Sequence, residues 1–229
     1  MEDRLNNFYR YERKFFLQTI DRISVENIIL SHPAFFSEVY HERYVNNIYF
    51  DNLNFNNFED NINGNINRMK YRIRWYGKML SEIENPNLEL KARIGLIGTK
   101  ESYLLKPFNL DKGFCISNVI DLINDSNINS KVKFSLQDQI PVMLNRYRRK
   151  YYESNDKKFR ITIDDDQSFY RIKAYYNDFL YRHEDSDSII IELKYNINND
   201  SEVATITNAM PFRLTKSSKY ARGIELLYT

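Results

Sequence analysis

Cations that recur at every second residue are the chemistry-bearing feature of this sequence. In residues 70–76, Lys70, Arg72 and Arg74 alternate with Tyr71, Ile73 and Trp75, and in residues 88–94, Glu89, Lys91 and Arg93 alternate with Leu88, Leu90, Ala92 and Ile94. The pattern returns where Arg160, Thr162 and Asp164 oppose Phe159, Ile161 and Ile163, and where Glu192 and Lys194 oppose Ile191, Leu193 and Tyr195. Near the start, Arg10, Glu12 and Lys14 share one phase. Guanidinium and ammonium groups both donate to phosphate oxygens, so a row of them would hold a linear polyphosphate or the triphosphate of a nucleotide.

Successive side chains of a strand point to opposite faces, and each segment therefore predicts a strand with one apolar and one charged face. An open sheet with a solvated charged face would give the same alternation. Two details weigh against it. This face prefers Arg and Lys, with few acids, on strands far apart in sequence, and like charges side by side repel unless something anionic lies between them. A sheet closed with its apolar face outward, under helices, would turn the cations inward, where low-dielectric walls strengthen their pull on an anion. The expectation is an α+β fold, a closed antiparallel β-barrel tunnel with flanking helices, as a single domain over residues 1–229.

Carboxylates among phosphate-binding cations suit a hard divalent cation, Mn2+ or Mg2+, bridging protein and phosphate oxygens. Glu192 is the first candidate ligand and Glu12 the second, each with the alternative of being only an ion-pair partner of a neighbouring Lys or Arg. Helical spacing of apolar residues predicts covering helices over residues 17–31 and 111–124, and further helices over 200–210 and 217–227, the last amphipathic through Tyr220, Ile224 and Leu227. The Asn-rich stretch 51–67 reads as a loop.

Several function classes are disfavoured. The 33 Lys and Arg nearly balance 31 Asp and Glu, which argues against a general sticking surface for nucleic acid or membrane. Aromatics fall mostly in the phase opposite the cations, whereas single-strand binding needs bases stacked beside the basic groove. His32, His41 and His183 share no ligand spacing and read as surface or loop residues. Cys115 stands alone and reads as a buried structural residue. No Gly-rich phosphate loop is present. The charged opening, Met1-Glu2-Asp3-Arg4, and the lack of an apolar run near ~20 residues predict no secretory signal and no direct membrane insertion, hence a cytoplasmic location.

Taken in order, the motifs resemble the VTC-domain polyphosphate polymerases of the triphosphate tunnel superfamily, which also holds CYTH-type phosphatases and cyclases. The resemblance rests on Arg10-Tyr11-Glu12-Arg13-Lys14-Phe15, Asn47-Ile48-Tyr49-Phe50-Asp51, Lys70-Tyr71-Arg72-Ile73-Arg74-Trp75-Tyr76-Gly77 and Leu88-Glu89-Leu90-Lys91. It continues through Tyr147-Arg148-Arg149, Phe159-Arg160-Ile161-Thr162-Ile163-Asp164, Ile191-Glu192-Leu193-Lys194 and Lys216-Ser217-Ser218-Lys219-Tyr220. It implies that Lys14, Arg72, Arg74, Lys91, Arg149, Arg160, Lys216 and Lys219 bind phosphate, that Ser218 assists, that Glu192 holds metal, and that Lys100, after the Gly95 to Gly98 turn, is a further tunnel lysine. Lys216 and Lys219 would belong to a C-terminal helix at one tunnel mouth. In residues 146–151 both strand phases carry cations, so alternation leaves Arg149 and the pair Arg148 and Lys150 open, and a one-residue slip would exchange them.

The implied activity is transfer of the ATP γ-phosphoryl group to a growing polyphosphate, with Arg72, Arg74, Lys91 and Glu192 in the catalytic role. The single Glu before Lys14, unlike the doubled glutamates of the CYTH branch, speaks for the VTC branch. The alternatives are a triphosphate hydrolase or cyclase, and a non-catalytic module binding polyphosphate or inositol phosphates. ATP and polyphosphate are the expected partners, with no nucleic acid, and the resemblance extends to a membrane-protein partner.

Overall fold

The computed structural model describes residues 10–94 and 97–228. In chain order these form β1 (Arg10–Leu17), α1 (Arg22–Leu30), β2 (Ser37–Asp51), α2 (Asn56–Ile62), β3 (Arg68–Tyr76), β4 (Ser81–Ile83), β5 (Asn87–Ile94), β6 (Ile97–Leu104), β7 (Phe108–Leu110), α3 (Ile116–Asp125), α4 (Ser130–Ser135), β8 (Ile140–Glu153), β9 (Phe159–Arg171), β10 (Arg182–Asp185), β11 (Ile189–Asn196), α5 (Val203–Asn208) and α6 (Lys219–Tyr228). The opening residues Met1-Glu2-Asp3-Arg4 and positions 95–96 of the expected Gly95 to Gly98 turn lie outside the described residues.

This is an α+β fold built on a nine-stranded sheet of order β1-β11-β9-β8-β2-β3-β5-β6, with β10 added to β9 and with β4 and β7 paired separately. The path has two ends, so the described sheet is open, and the closed barrel expected from the alternation is corrected. The physical reason lies at β1. Its outer edge is occupied by a returning segment: Leu214 bridges to Phe15, Thr215 N donates to Lys14 O at 2.8 Å, and Phe16 N donates to Thr215 Oγ1 at 2.9 Å. Edge groups that would otherwise seek another strand are thus satisfied.

The chain divides into two units, residues 10–43, 147–167 and 185–218 in the first and 44–146, 168–184 and 219–228 in the second. In the first unit, antiparallel register sets Lys14 opposite Glu192 and Glu12 opposite Lys194, and Glu192 opposite Thr162 and Lys194 opposite Arg160. The alternate residues Phe15, Ile163 and Ile191 pack into a core with Val25 and Ile29 of α1 and Val203 and Ile206 of α5. Helix α1 begins after residue 21 because the Asp21 carboxylate accepts from Ser24 N at 3.0 Å, satisfying a donor that the first turn leaves unpaired. His32 lies in the loop after α1, one of the two places read for it, but is buried rather than at the surface: Ala34 N donates to Nδ1 at 3.0 Å, so Nε2 carries the proton and donates to Ile206 O at 2.9 Å.

In the second unit, Tyr71, Ile73 and Trp75 of β3 and Leu88 and Leu90 of β5 pack with Val119, Leu122 and Ile123 of α3 and Val132 of α4. Burying each aliphatic side chain contributes about 1.5–3 kcal/mol. A slip of one residue would expose this whole set, which fixes the register and with it the charged phase. The Asn-rich stretch contains α2 rather than only loop. Its poor helix formers are compensated by buried Asp51, whose carboxylate accepts from Asn57 N and Phe58 N at 2.9 Å each and also from the Tyr220 hydroxyl of α6. Helix α6 packs Tyr220, Ile224 and Leu227 on Tyr49, Val142, Met143 and Phe169. Gly223 permits that approach, since a Cβ there would lie 2.2 Å from Met143 Sδ and 2.6 Å from Phe169 Cδ1. Cys115 is half-exposed at the start of α3, not buried in the core.

Candidate functional site

Part of the charged face is withdrawn from solvent. Arg72 is 7% exposed, Glu89 5%, Arg149 6%, Glu192 7% and Asp164 0%, so the solvated-face reading of the alternation fails at these positions. Burying a charge costs several kcal/mol unless it is paired and hydrogen-bonded. Each unit meets that demand with its own cluster.

In the first unit the cluster is organised around Glu192. Lys14 Nζ lies 3.5 Å from Glu192 Oε1 and 2.9 Å from Glu12 Oε1, and it also donates to Ser217 O at 3.1 Å. On the other oxygen, Glu192 Oε2 receives Lys194 Nζ at 2.7 Å and Arg149 Nη2 at 3.2 Å. Lys194 Nζ is also 3.9 Å from Glu12 Oε2, so the same two ammonium groups bracket both carboxylates. Arg149 further makes a bidentate pair with Asp164, Nε and Nη2 each 2.5 Å from an oxygen. Burial pulls the Arg149 guanidinium down, but Asp164, Tyr147 and Glu192 outweigh it and hold its pKa well above the ordinary guanidinium value. Arg149 therefore stays charged in a buried place.

The second unit centres on Glu89, which sequence reasoning left without a role. Its Oε2 accepts from Arg72 Nε at 2.7 Å and Arg72 Nη2 at 2.5 Å, and its Oε1 accepts from Lys100 Nζ at 2.6 Å. Arg74 Nη1 stands 4.0 Å from Oε2 and its Nε donates to Asn47 Oδ1 at 2.8 Å. Burial pushes the Glu89 carboxyl up, yet Arg72, Arg74 and Lys100 together hold it far below the usual carboxylate range.

The phase left open between residues 146 and 151 is decided by partners. Arg149 points to Asp164 and Glu192. Arg148 pairs with Asp165 at 2.6 Å and Glu42 at 3.8 Å, and Lys150 pairs with Glu26 of α1 at 2.8 Å and Glu38 at 3.5 Å, the opposite side of the strand.

A family model described as VTC domain matches residues 9–228. The chain belongs to the VTC-domain family. Solved structures share its fold. They include a candidate adenylate cyclase of Vibrio parahaemolyticus, 10% identical with a TM-score of 0.50 over 96% of this chain and 98% of that one. A candidate adenylyl cyclase of Hippeastrum, with dominant triphosphatase activity, is 14% identical with a TM-score of 0.49 over 94% and 96%. A protein of Pyrococcus horikoshii is 11% identical with a TM-score of 0.48 over 94% and 96%. No curated protein matches the chain.

Within this VTC domain the residues named from sequence fall as follows. Lys14, Glu12, Arg149 and Glu192 meet in the first cluster, and Arg72, Arg74 and Lys100 in the second. Lys91 stands in register between Lys70 and Lys100. Arg160 shares a register row with Lys194, but its guanidinium is largely exposed and pairs with Glu153 at 2.7 Å. Lys216 and Ser218 precede α6, which begins at Lys219, so the expectation that Lys216 is helical is corrected: residues 214 and 215 are held extended along β1. Lys219 is buried at the first position of α6. The second expectation corrected is the scarcity of acids, since Glu12, Glu89, Asp164 and Glu192 are interleaved with the cations. Their signal was present as Glu or Asp in the cationic phase. Only the register shows that Glu89 stands opposite Arg72.

The donor set bears on a metal. Among the described residues no three or more His, Cys, Asp or Glu gather as ligands. Glu192 and Glu12, bracketed by the same ammonium groups, offer hard carboxylate oxygens, the donor type that a hard divalent cation takes. Among the described residues no helix is long and apolar enough to cross a membrane.

Proposed function

We propose that this VTC domain is a polyphosphate polymerase that transfers the γ-phosphoryl group of ATP to the end of a polyphosphate chain and releases ADP. The observation that supports this most is that a member of this family sets Arg72, Arg74 and Lys100 around the one carboxylate of Glu89, while Lys14, Arg149 and Lys194 meet the three carboxylates of Glu12, Asp164 and Glu192. Clustered positive charge such as that around Glu89 is the electrostatic complement of a polyanion.

Phosphoryl transfer asks for alignment and for neutralisation of the equatorial oxygens, with little covalent work by the protein. Arg72 and Arg74 would hold nucleotide phosphates. Glu89 aims the Arg72 fork, so the guanidinium is oriented before substrate arrives. Lys14, Arg149, Lys194, Lys91, Lys100, Arg160, Lys216 and Lys219 would neutralise further phosphate oxygens, with Ser218 donating one hydrogen bond. Glu192, with Glu12 beside it, would hold a Mn2+ or Mg2+ ion, whose chemistry is charge neutralisation at phosphate oxygens. A terminal phosphate is already an oxyanion at neutral pH, so no general base is required of the chain.

The deciding experiment incubates the protein with ATP and Mn2+ or Mg2+ and resolves the products on a gel stained for polyphosphate, with free phosphate assayed in parallel. Polymer with ADP supports the polymerase. Free phosphate without polymer replaces it with a triphosphate hydrolase using the same residues. Tight polyanion binding without turnover replaces it with a binding module.

A further inference from the structure

The second unit holds a cavity that is lined by none of the residues named for phosphate. Its volume is about 310 Å³, at the low end of the roughly 300–1,000 Å³ that small-molecule sites span. Phe55 before α2, Ile140 and Val142 of β8, Ile172 just after β9 and Tyr228 at the end of α6 give it apolar walls.

Local contacts fix those walls. Phe55 has φ 55° and ψ 37°, the left-handed region that a bulky side chain rarely enters, and such a conformation persists only where its surroundings hold it. Its ring meets that of Tyr228 edge-on, with centres 4.9 Å apart. The Tyr228 hydroxyl donates to Val142 O at 2.8 Å. Burial raises the pKa of that hydroxyl and Arg171 opposes the rise, so it remains a proton donor at neutral pH.

Arg171, at the end of β9, brings a charge to this apolar place. Its Cζ lies 4.4 Å from the centre of the Tyr228 ring, and among the described residues no carboxylate stands within ion-pair distance of its exposed guanidinium. Lys173, which also lines the cavity, is engaged by Asp178 at 3.6 Å. Apolar walls with one available guanidinium select an apolar body bearing one negative charge. Polyphosphate or a nucleotide would bring several charges to walls that offer them no donors, which burial penalises. A peptide would bring backbone amides, and the backbone here is already paired: Val142 O accepts from Ile172 N at 3.1 Å and Ala174 O from Ile116 N at 3.2 Å. A phosphate monoester carries about −1.5 to −2, more than one guanidinium balances, whereas a carboxylate carries a single charge and matches the planar fork.

We propose that this cavity binds a small apolar monocarboxylate, with its body between Phe55, Val142, Ile172 and Tyr228 and its carboxylate on Arg171. The site shares no residue with the two charged clusters and stands or falls independently of the polymerase.

The test titrates octanoate, octanol and octyl phosphate into the wild type and into Arg171→Gln by calorimetry. Octanoate should bind saturably and more tightly than the other two, and should lose about tenfold in Arg171→Gln while octanol is unchanged. Tripolyphosphate, aimed at the charged clusters, should leave the octanoate Kd as it was. Absence of saturable octanoate binding, octanol or octyl phosphate bound as tightly, an octanoate Kd indifferent to Arg171→Gln, or displacement of octanoate by tripolyphosphate overturns the site. Should Arg171→Gln melt early, Arg171→Lys, which keeps the charge and loses the fork, carries the test: a severalfold loss is expected and an unchanged Kd overturns the site.

Discussion

Arg149 grips both oxygens of Asp164 at 2.5 Å while the same Nη2 reaches Glu192 at 3.2 Å. One buried guanidinium thus joins a fully buried carboxylate, which holds it in place, to a second carboxylate that faces Lys14 and Lys194. The arrangement makes Arg149 a structural member of the cluster as well as a candidate phosphate ligand, and it separates Arg149 from its sequence neighbours.

Truncation should expose that difference. Arg149→Ala leaves Asp164 charged and buried without its main partner and should cost about 3–5 kcal/mol. Arg148→Ala removes a half-exposed guanidinium whose buried partner Asp165 retains Arg22 at 3.6 Å, and should cost about 1 kcal/mol. Urea midpoints of the two variants check this, and equal losses would contradict the assigned strand phase.

Glu192→Gln keeps the side-chain shape and removes the charge that a divalent cation would need. ATP turnover supported by Mn2+ or Mg2+ should fall by about a hundredfold or more, and Arg72→Ala with Arg74→Ala should abolish ATP binding. Initial rates and nucleotide titration measure these, and normal activity in either variant would remove that cluster from the active site.

Acid should weaken the fold through Glu89. Its folded pKa is depressed, so its contribution is complete above the unfolded value of about 4.3 and is lost as pH falls towards the folded one. Stability of the wild type should therefore drop below that pH, and Glu89→Gln should show a shallower drop. Denaturant midpoints at about pH 6 and about pH 3 supply the comparison. Parallel curves would mean that the carboxylate gains nothing from Arg72, Arg74 and Lys100.

Gly223→Ala should destabilise by about 1–3 kcal/mol, since the added methyl would press on Met143 and Phe169 and nothing in a packed interface yields freely. A thermal melt detects this. An unchanged melting temperature would show that α6 can move off the sheet, taking Lys219 and Tyr220 with it.

The sequence by itself determined the strands and which side chains share a face. Alternation with period two is imposed by backbone geometry, so Tyr71, Ile73 and Trp75 had to share a face opposite Arg72 and Arg74, and the helices bearing Val119 and Ile224 were legible from their own period. What alternation cannot supply is register, because strands that meet are distant in the chain and their pairing is a property of the packed core. That is why Glu89 carried no role until Arg72 stood opposite it, why the phase of Arg149 waited for Asp164, and why Asp51 in an Asn-rich stretch read as loop until its carboxylate was seen to start α2. Closure was undecidable for the same reason: whether β1 meets another strand depends on which segment satisfies its outer edge, and residues 214 and 215 return to do so.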